Sequence, residues 1–268
     1  MTTAASQRLL IGSSVKMHLT AGEVRTWLEG CRTAFAGASG VAGGADADGA
    51  AGVDVFLLPP FVCLPMAAEL LSDTGIAYGA QNMHWEDRGA YTGEISPVML
   101  VEFGATFVEI GHAERRRHFG ETDATVNLKV RAALRHGLRP ILCIGEGERG
   151  ASAADTVLRE QLSRALDAVA EAELDGVVVA YEPVWAIGQA AAAEPAYVHD
   201  RHLAIRDHLK RAYGEVGARP RLIYGGSVSP ANARQLVTHP EVQGLFVGRA
   251  ALQPASFLRI VDEAAAAR

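Results

Sequence analysis

The sequence predicts an α/β fold in which eight parallel strands close into a single (β/α)8 barrel. Short β-rich runs recur along the chain and alternate with stretches of helical periodicity. Eight such runs stand at 9–13, 53–58, 76–81, 107–111, 140–144, 177–181, 221–224 and 245–247. Several are continuously apolar, as expected of parallel strands buried on both faces. Eight βα units favour closure, with a doubly wound open sheet as the rival arrangement. A length of 268 residues suits one barrel domain over 1–268, and no linker interrupts it.

The helical stretches fit between the strands. Thr20 and Glu23 have capping-box spacing and open the first helix. Val24, Trp27, Leu28, Cys31 and Phe35 follow on one face. The Ala/Gly-rich stretch at 36–52 reads as a surface loop without function. Leu158, Leu162, Leu166 and Val169 form another stripe, and later helices are expected at 196–213 and 254–266. The stripes read as helix–sheet core. His199, His202 and His208 are expected on the surface of the 196–213 helix.

Composition narrows the function. With 49% hydrophobic and 21% charged residues the chain reads as an ordinary globular protein. Its net charge of −6 gives no bulk signal for nucleic acid or an anionic membrane, so an anionic substrate needs a locally positive site. No uninterrupted apolar stretch is long enough to span a bilayer, and the N-terminus has no long apolar signal core. Cys31, Cys63 and Cys143 lack metal or redox spacing, and Cys31 and Cys143 fall in predicted elements as buried thiols. The expectation is a reduced, cytoplasmic protein without metal or cofactor.

In such barrels the active-site residues stand at the carboxyl ends of the strands. Those positions hold Lys16, His112 and Glu182, then Gly225-Gly226-Ser227 and Gly248-Arg249. They supply a cation, an imidazole, a carboxylate and two Gly-containing loops whose backbone N–H groups suit a phosphate. Glu182 ends a buried run and is followed by Pro183, Val184, Trp185, Ala186, Ile187 and Gly188. The pattern is a base beside a hinged lid, which continues through Gln189 and Ala190.

The Glu182 segment resembles the signature of triosephosphate isomerase. So do Lys16-Met17, Ala80-Gln81-Asn82, Tyr91 to Pro97, Gly111-His112 with Glu114-Arg115-Arg116, Cys143 to Glu146, and Tyr224 to Val228. The resemblance covers nearly the whole chain. It implies a TIM barrel and enediolate proton transfer on a small phosphorylated sugar. It further implies that Glu182 moves the proton between adjacent carbons and that neutral His112 polarises the carbonyl. By the same resemblance Lys16, paired with Glu114, meets the negative charge. Backbone N–H groups of Gly188, Ser227, Gly248 and Arg249 would grip the phosphate. Arg115-Arg116-Arg117 reads as ion pairing around the site and interface. The segment 82–93 matches the loop that enters the neighbouring subunit in family dimers, and Thr92 would reach the neighbour's Ser14 and Lys16.

Several positions depart from the family pattern. The motif Asn-Trp-Lys-Met-Asn stands here as Ser14-Val15-Lys16-Met17-His18. Ala113 replaces the Ser after the histidine, Gly188-Gln189-Ala190 replaces Gly-Thr-Gly, and Arg249 replaces a glycine. The resemblance implies that Ser14 and Ala113 lie at the reacting end of the substrate, where their smaller side chains would admit an added hydroxymethyl group. Gly12 and Ser14 ahead of Lys16-Met17, the run Gln81-Asn82-Met83-His84-Trp85 and the pair Gly248-Arg249 resemble the L-erythrulose-1-phosphate isomerase branch of the family, although that branch keeps Trp at Val15 and Ser at Ala113. The implied reaction is L-erythrulose 1-phosphate to D-erythrulose 4-phosphate. Two readings stand beside it: interconversion of the triose phosphates, and a barrel that binds phosphometabolites without turnover.

Overall fold

The computed structural model describes residues 8–36, 52–188 and 192–268. The eight runs become β1 (Leu9–Ser14), β2 (Val53–Leu58), β3 (Ala77–Ala80), β4 (Phe107–Ile110), β5 (Arg139–Ile144), β6 (Val178–Tyr181), β7 (Arg221–Gly226) and β8 (Gly244–Val247). Each pairs in parallel with the next, and β8 pairs with β1, so the sheet is a closed barrel. The predicted strand ends shift by a residue or two. β7 runs on to Gly226, for example, because Gly226 pairs with Val247.

Helices pack outside. They are α1 (Ala21–Phe35), α2 (Leu64–Leu71), α3 (Pro97–Glu102), α4 (Ala113–Phe119), α5 (Asp123–Arg135), α6 (Ala151–Ala165), α7 (Pro195–Tyr213), α8 (Ala233–Leu236) and α9 (Pro254–Ala265). Glu23 accepts hydrogen bonds from the Thr20 N–H and hydroxyl at 2.8 and 2.7 Å, so α1 starts where the spacing placed it. The predicted loop at 36–52 falls largely outside the described residues.

Alternation along the strands separates two apolar layers. Leu9, Ile11, Val53, Val55 and Val108 belong to the layer shared with the helices. Leu10, Phe56, Phe107, Ile141, Val178, Ile223 and Phe246 fill the barrel interior. There the Phe56 ring stacks on Phe107 at 5.0 Å. A Cβ at position 12 would collide with the Phe56 ring, so Gly12 is the space that ring occupies. At the amino end of the barrel, Asp54 is met by Arg8 at 2.7 Å and Arg221 at 2.9 Å. The carboxyl end carries the pocket.

One expectation is overturned. His202 is not on the surface of α7 but fully buried. It shares the buried stripe of Val198, Ile205 and Leu209 and stands edge-on to Tyr181 at 5.7 Å. Its Nδ1 lies 2.9 Å from the Val198 carbonyl, a normal in-helix bond for a donated N–H. His199 and His208 are half-buried. All three cysteines are buried and free.

Candidate active site

A pocket of about 740 Å³ opens at the carboxyl ends of the strands. It brings together Ser14, Lys16, His112, Glu114, Glu182, Gly188, Ser227, Gly248 and Arg249, all of them expected from sequence. Val184 and Ile187 of the segment expected to act as a lid also line it. Pro183, Trp185 and Ala186 belong to the short turn that carries them, and Gln189 and Ala190 lie outside the described residues.

Glu182 follows β6 and is 6% exposed. Its backbone N–H bonds the Ile144 carbonyl at 2.8 Å, which extends the β5–β6 pairing to the pocket edge. A Cβ at position 225 would stand 2.6 Å from Glu182 Oε1, so Gly225 leaves the carboxylate its room. Oε2 has no hydrogen-bond partner among the described residues and lies 3.5 Å from His112 Nε2.

His112 caps α4. Its Nδ1 accepts the Glu114 N–H at 3.1 Å. That bond fixes the tautomer: a neutral ring carries its hydrogen on Nε2, the atom that faces Glu182. Gly111 turns the chain between β4 and α4 at φ 79°, and Arg116 braces the turn through the Gly111 carbonyl at 2.8 Å. Arg116 also pairs with Asp123, and Arg115 with Glu121. Arg117 lies at the pocket rim.

Lys16 adopts φ 53°, a left-handed conformation that costs on the order of 1 kcal/mol for a residue with a side chain. Gln81 holds it there by donating to the carbonyls of Lys16 and Leu58 at 3.1 and 2.9 Å. The ammonium reaches Glu114 Oε1 at 2.7 Å. Burial raises the Glu114 carboxyl, but the Lys16 hydrogen bond and charge outweigh it and leave the group below its ordinary value.

The loop after β7 is shaped by Asn232, which donates to the Ser227 carbonyl and accepts the Ser229 N–H, both at 2.8 Å. Ser227 donates to the Ala186 carbonyl at 3.3 Å, linking this loop to the turn after Glu182. Gly248 and Arg249 open the turn after β8. The Arg249 side chain is exposed at the pocket and has no ion pair among the described residues.

Three polar groups were missed by sequence reasoning. Asn232 shapes the Ser227 loop. Glu146, which stood in a family motif without a role of its own, is buried and accepts from Trp185, Tyr181 and Tyr197. Glu109 lies inside the barrel at the pocket floor and is 3% exposed. A signal for Glu109 existed: it is an acid in an apolar strand, two residues after the inward Phe107 and hence on the same face.

Comparison with known proteins decides the family. The family model for triosephosphate isomerase matches residues 9–264. The chain belongs to the triosephosphate isomerase family. As a member it is an isomerase. The triosephosphate isomerase of Chloroflexus aurantiacus is 44% identical over 255 residues, covering 94% of this chain and 97% of that protein. The L-erythrulose-1-phosphate isomerase of Rhizobium rhizogenes is 42% identical over 266 residues, covering 98% and 97%. A crystal structure of triosephosphate isomerase from Bartonella henselae superposes with a TM-score of 0.81 at 37% identity, covering 96% of this chain and 98% of that one. Both named activities thus occur among triosephosphate isomerase family relatives at similar distance.

Proposed function

We propose that the protein interconverts L-erythrulose 1-phosphate and D-erythrulose 4-phosphate. The observation that carries the reading is the pocket's reacting end, where two short side chains, Ser14 and Ala113, line the wall beside His112 and Glu182. The buried Ser14 hydroxyl has no hydrogen-bond partner among the described residues, so a substrate group can take it. The relatives named for this activity support the choice.

Glu182 takes the proton from C3, and the electron pair moves into a C2–C3 enediolate as the C2 carbonyl oxygen gains charge. His112 Nε2–H meets that oxygen and moves protons between the oxygens on C2 and C3. Glu182 then returns its proton to C2. The carbonyl now stands at C3, and the phosphate has not moved. Lys16, oriented by Glu114, offsets the negative charge. Backbone N–H groups of Gly188, Ser227, Gly248 and Arg249 hold the phosphate. Lid closure over Val184 and Ile187 keeps water from the enediolate.

A second reading is interconversion of dihydroxyacetone phosphate and glyceraldehyde 3-phosphate. The convergence of Lys16, His112 and Glu182 favours it equally, as does the 44% identical relative. The test is kcat/KM for both ketose phosphates on one preparation. A large preference for the tetrulose establishes the four-carbon reading, and a preference for the triose establishes the glycolytic one. Turnover of neither would leave a metabolite-binding barrel.

The proposed assembly is a cytoplasmic homodimer. Thr92 is exposed on the loop at 82–93, where it can enter a neighbouring site. Light scattering at micromolar concentration should give twice the 28.3 kDa chain mass, and a monomer mass would end this part of the reading.

A further inference from the structure

Two carboxylates enter the barrel interior from opposite ends, and they are treated differently. Asp54 is paired with Arg8 and Arg221. Glu109 has no Lys or Arg ion pair among the described residues, and the groups that act on its charge are those of the reaction. His112 Nε2 is 3.9 Å from Glu109 Oε1. Glu182, Lys16 and the Ser14 hydroxyl face it from the ends of β6 and β1, and the Cys143 thiol faces it from β5. Glu109 is buried, yet it lines the pocket. A polar group in that position is built to meet something that enters.

Topology says which part of a substrate it meets. In the closed order β1 to β8, β4 stands diametrically across from β8. The phosphate loops follow β7 and β8, and Glu109 comes from β4. A ketose phosphate held at Ser227 and Gly248 reacts between Glu182 and His112. The carbon beyond the reacting pair then lies over Glu109 and Ser14.

We infer that Glu109 is the specificity residue of this site: its carboxyl, together with the Ser14 hydroxyl, hydrogen-bonds the terminal hydroxyl of a four-carbon ketose phosphate. The inference rests on the four-carbon reading above and names the group that enforces it. A three-carbon substrate gives neither polar group a substrate partner, and a site built to bond a substrate hydroxyl discriminates strongly against its absence. The protonated carboxyl is the useful form, because an ionised one would repel the enediolate. Burial, with the adjacent Glu182 charge, pushes the Glu109 carboxyl up to about 7, against the opposing pull of His112, Ser14 and Lys16.

The test compares wild type, Glu109→Gln and Glu109→Leu on both ketose phosphates between pH 6 and 9. Glu109→Leu is expected to lower tetrulose kcat/KM about a hundredfold and to shift the tetrulose-to-triose ratio by at least about tenfold toward the triose. Glu109→Gln, which keeps a donor and cannot ionise, should hold tetrulose kcat/KM within about tenfold and abolish an alkaline fall above about pH 7. If Glu109→Leu does not fold, the glutamine pH profile decides. Wild type that turns over the tetrulose, with an unchanged ratio in Glu109→Leu or an unchanged alkaline limb in Glu109→Gln, overturns the role of Glu109 alone. Wild type that neither turns over the tetrulose phosphate nor is competitively inhibited by it overturns the four-carbon reading and this inference together.

Discussion

Trp185 donates its indole N–H to Glu146 Oε1 at 2.8 Å, and the same oxygen accepts the hydroxyls of Tyr181 and Tyr197 at 3.0 Å each. The Val184 N–H bonds the Glu146 carbonyl at 2.9 Å. The turn after Glu182 is therefore tied to the loop after β5 by side chain and backbone. Trp185→Phe keeps the ring and removes one donor to a charged acceptor. It should cost about 1–2 kcal/mol and speed amide exchange across 184–188. Exchange at those amides that does not change would show that Glu146 does not hold this turn.

Glu182→Asp tests the assignment of the base. The shorter side chain withdraws the carboxylate by roughly an ångström from a substrate whose phosphate is held elsewhere. Turnover should fall about a hundredfold. Affinity for inorganic phosphate should stay nearly constant. Unchanged turnover would remove Glu182 from the proton-transfer role.

The barrel and the convergence of Lys16, His112 and Glu182 were legible because each rests on local pattern. Apolar runs mark the strands, and a residue just after a run has only the carboxyl end to occupy. His202 was misread because polarity was weighed above period. It falls four residues after Val198 and three before Ile205, squarely on the buried stripe. Arg206 is buried on the same helix, and its donors are met by Glu241, Gln243 and the carbonyls of Gly217 and Pro220. Partners that come from distant segments leave no mark near the residue. Glu146 and Asn232 were hidden for the same reason.

Arg249 should act through field rather than contact. The chain carries −6 overall, and Glu109, Glu114 and Glu182 line the pocket, while Lys16, Arg117 and Arg249 supply the positive charge there. An exposed rim cation raises the encounter rate with a dianion and is screened by salt. Arg249→Ala is expected to lower kcat/KM about three- to tenfold at low ionic strength and to flatten its salt dependence. An equal loss at high salt would point to direct phosphate contact instead.

His202 couples folding to acid. Burial first, then the charges of His199 and Arg206, lower its pKa to about 4 from 6.5. Between those values the unfolded chain binds the extra proton, so stability rises with pH across the window and is fully present above 6.5. Acidification through it should cost on the order of 3 kcal/mol from this group. His202→Gln, measured by urea unfolding at pH 7 and pH 5, should narrow the difference between the two. A difference identical to wild type would mean that the ring is protonated in the fold.

Glu109 has the opposite slope. Its folded value near 7 lies above the unfolded 4.5, so the native state binds the extra proton in that window. The associated stability is fully present below 4.5 and is lost as pH rises through 7. At pH 8 the ionised, buried carboxyl should weaken the fold by up to about 3 kcal/mol. Glu109→Gln is therefore expected to raise the thermal midpoint at pH 8 and to leave it nearly unchanged at pH 4.5. An apolar side chain above Phe56 and Phe107 would be more stable, so a carboxyl at that position carries a cost that fits a task at the pocket floor. If Glu109→Gln gives no gain at pH 8, the carboxyl is already solvated or paired in the folded protein, and the argument from cost to task fails.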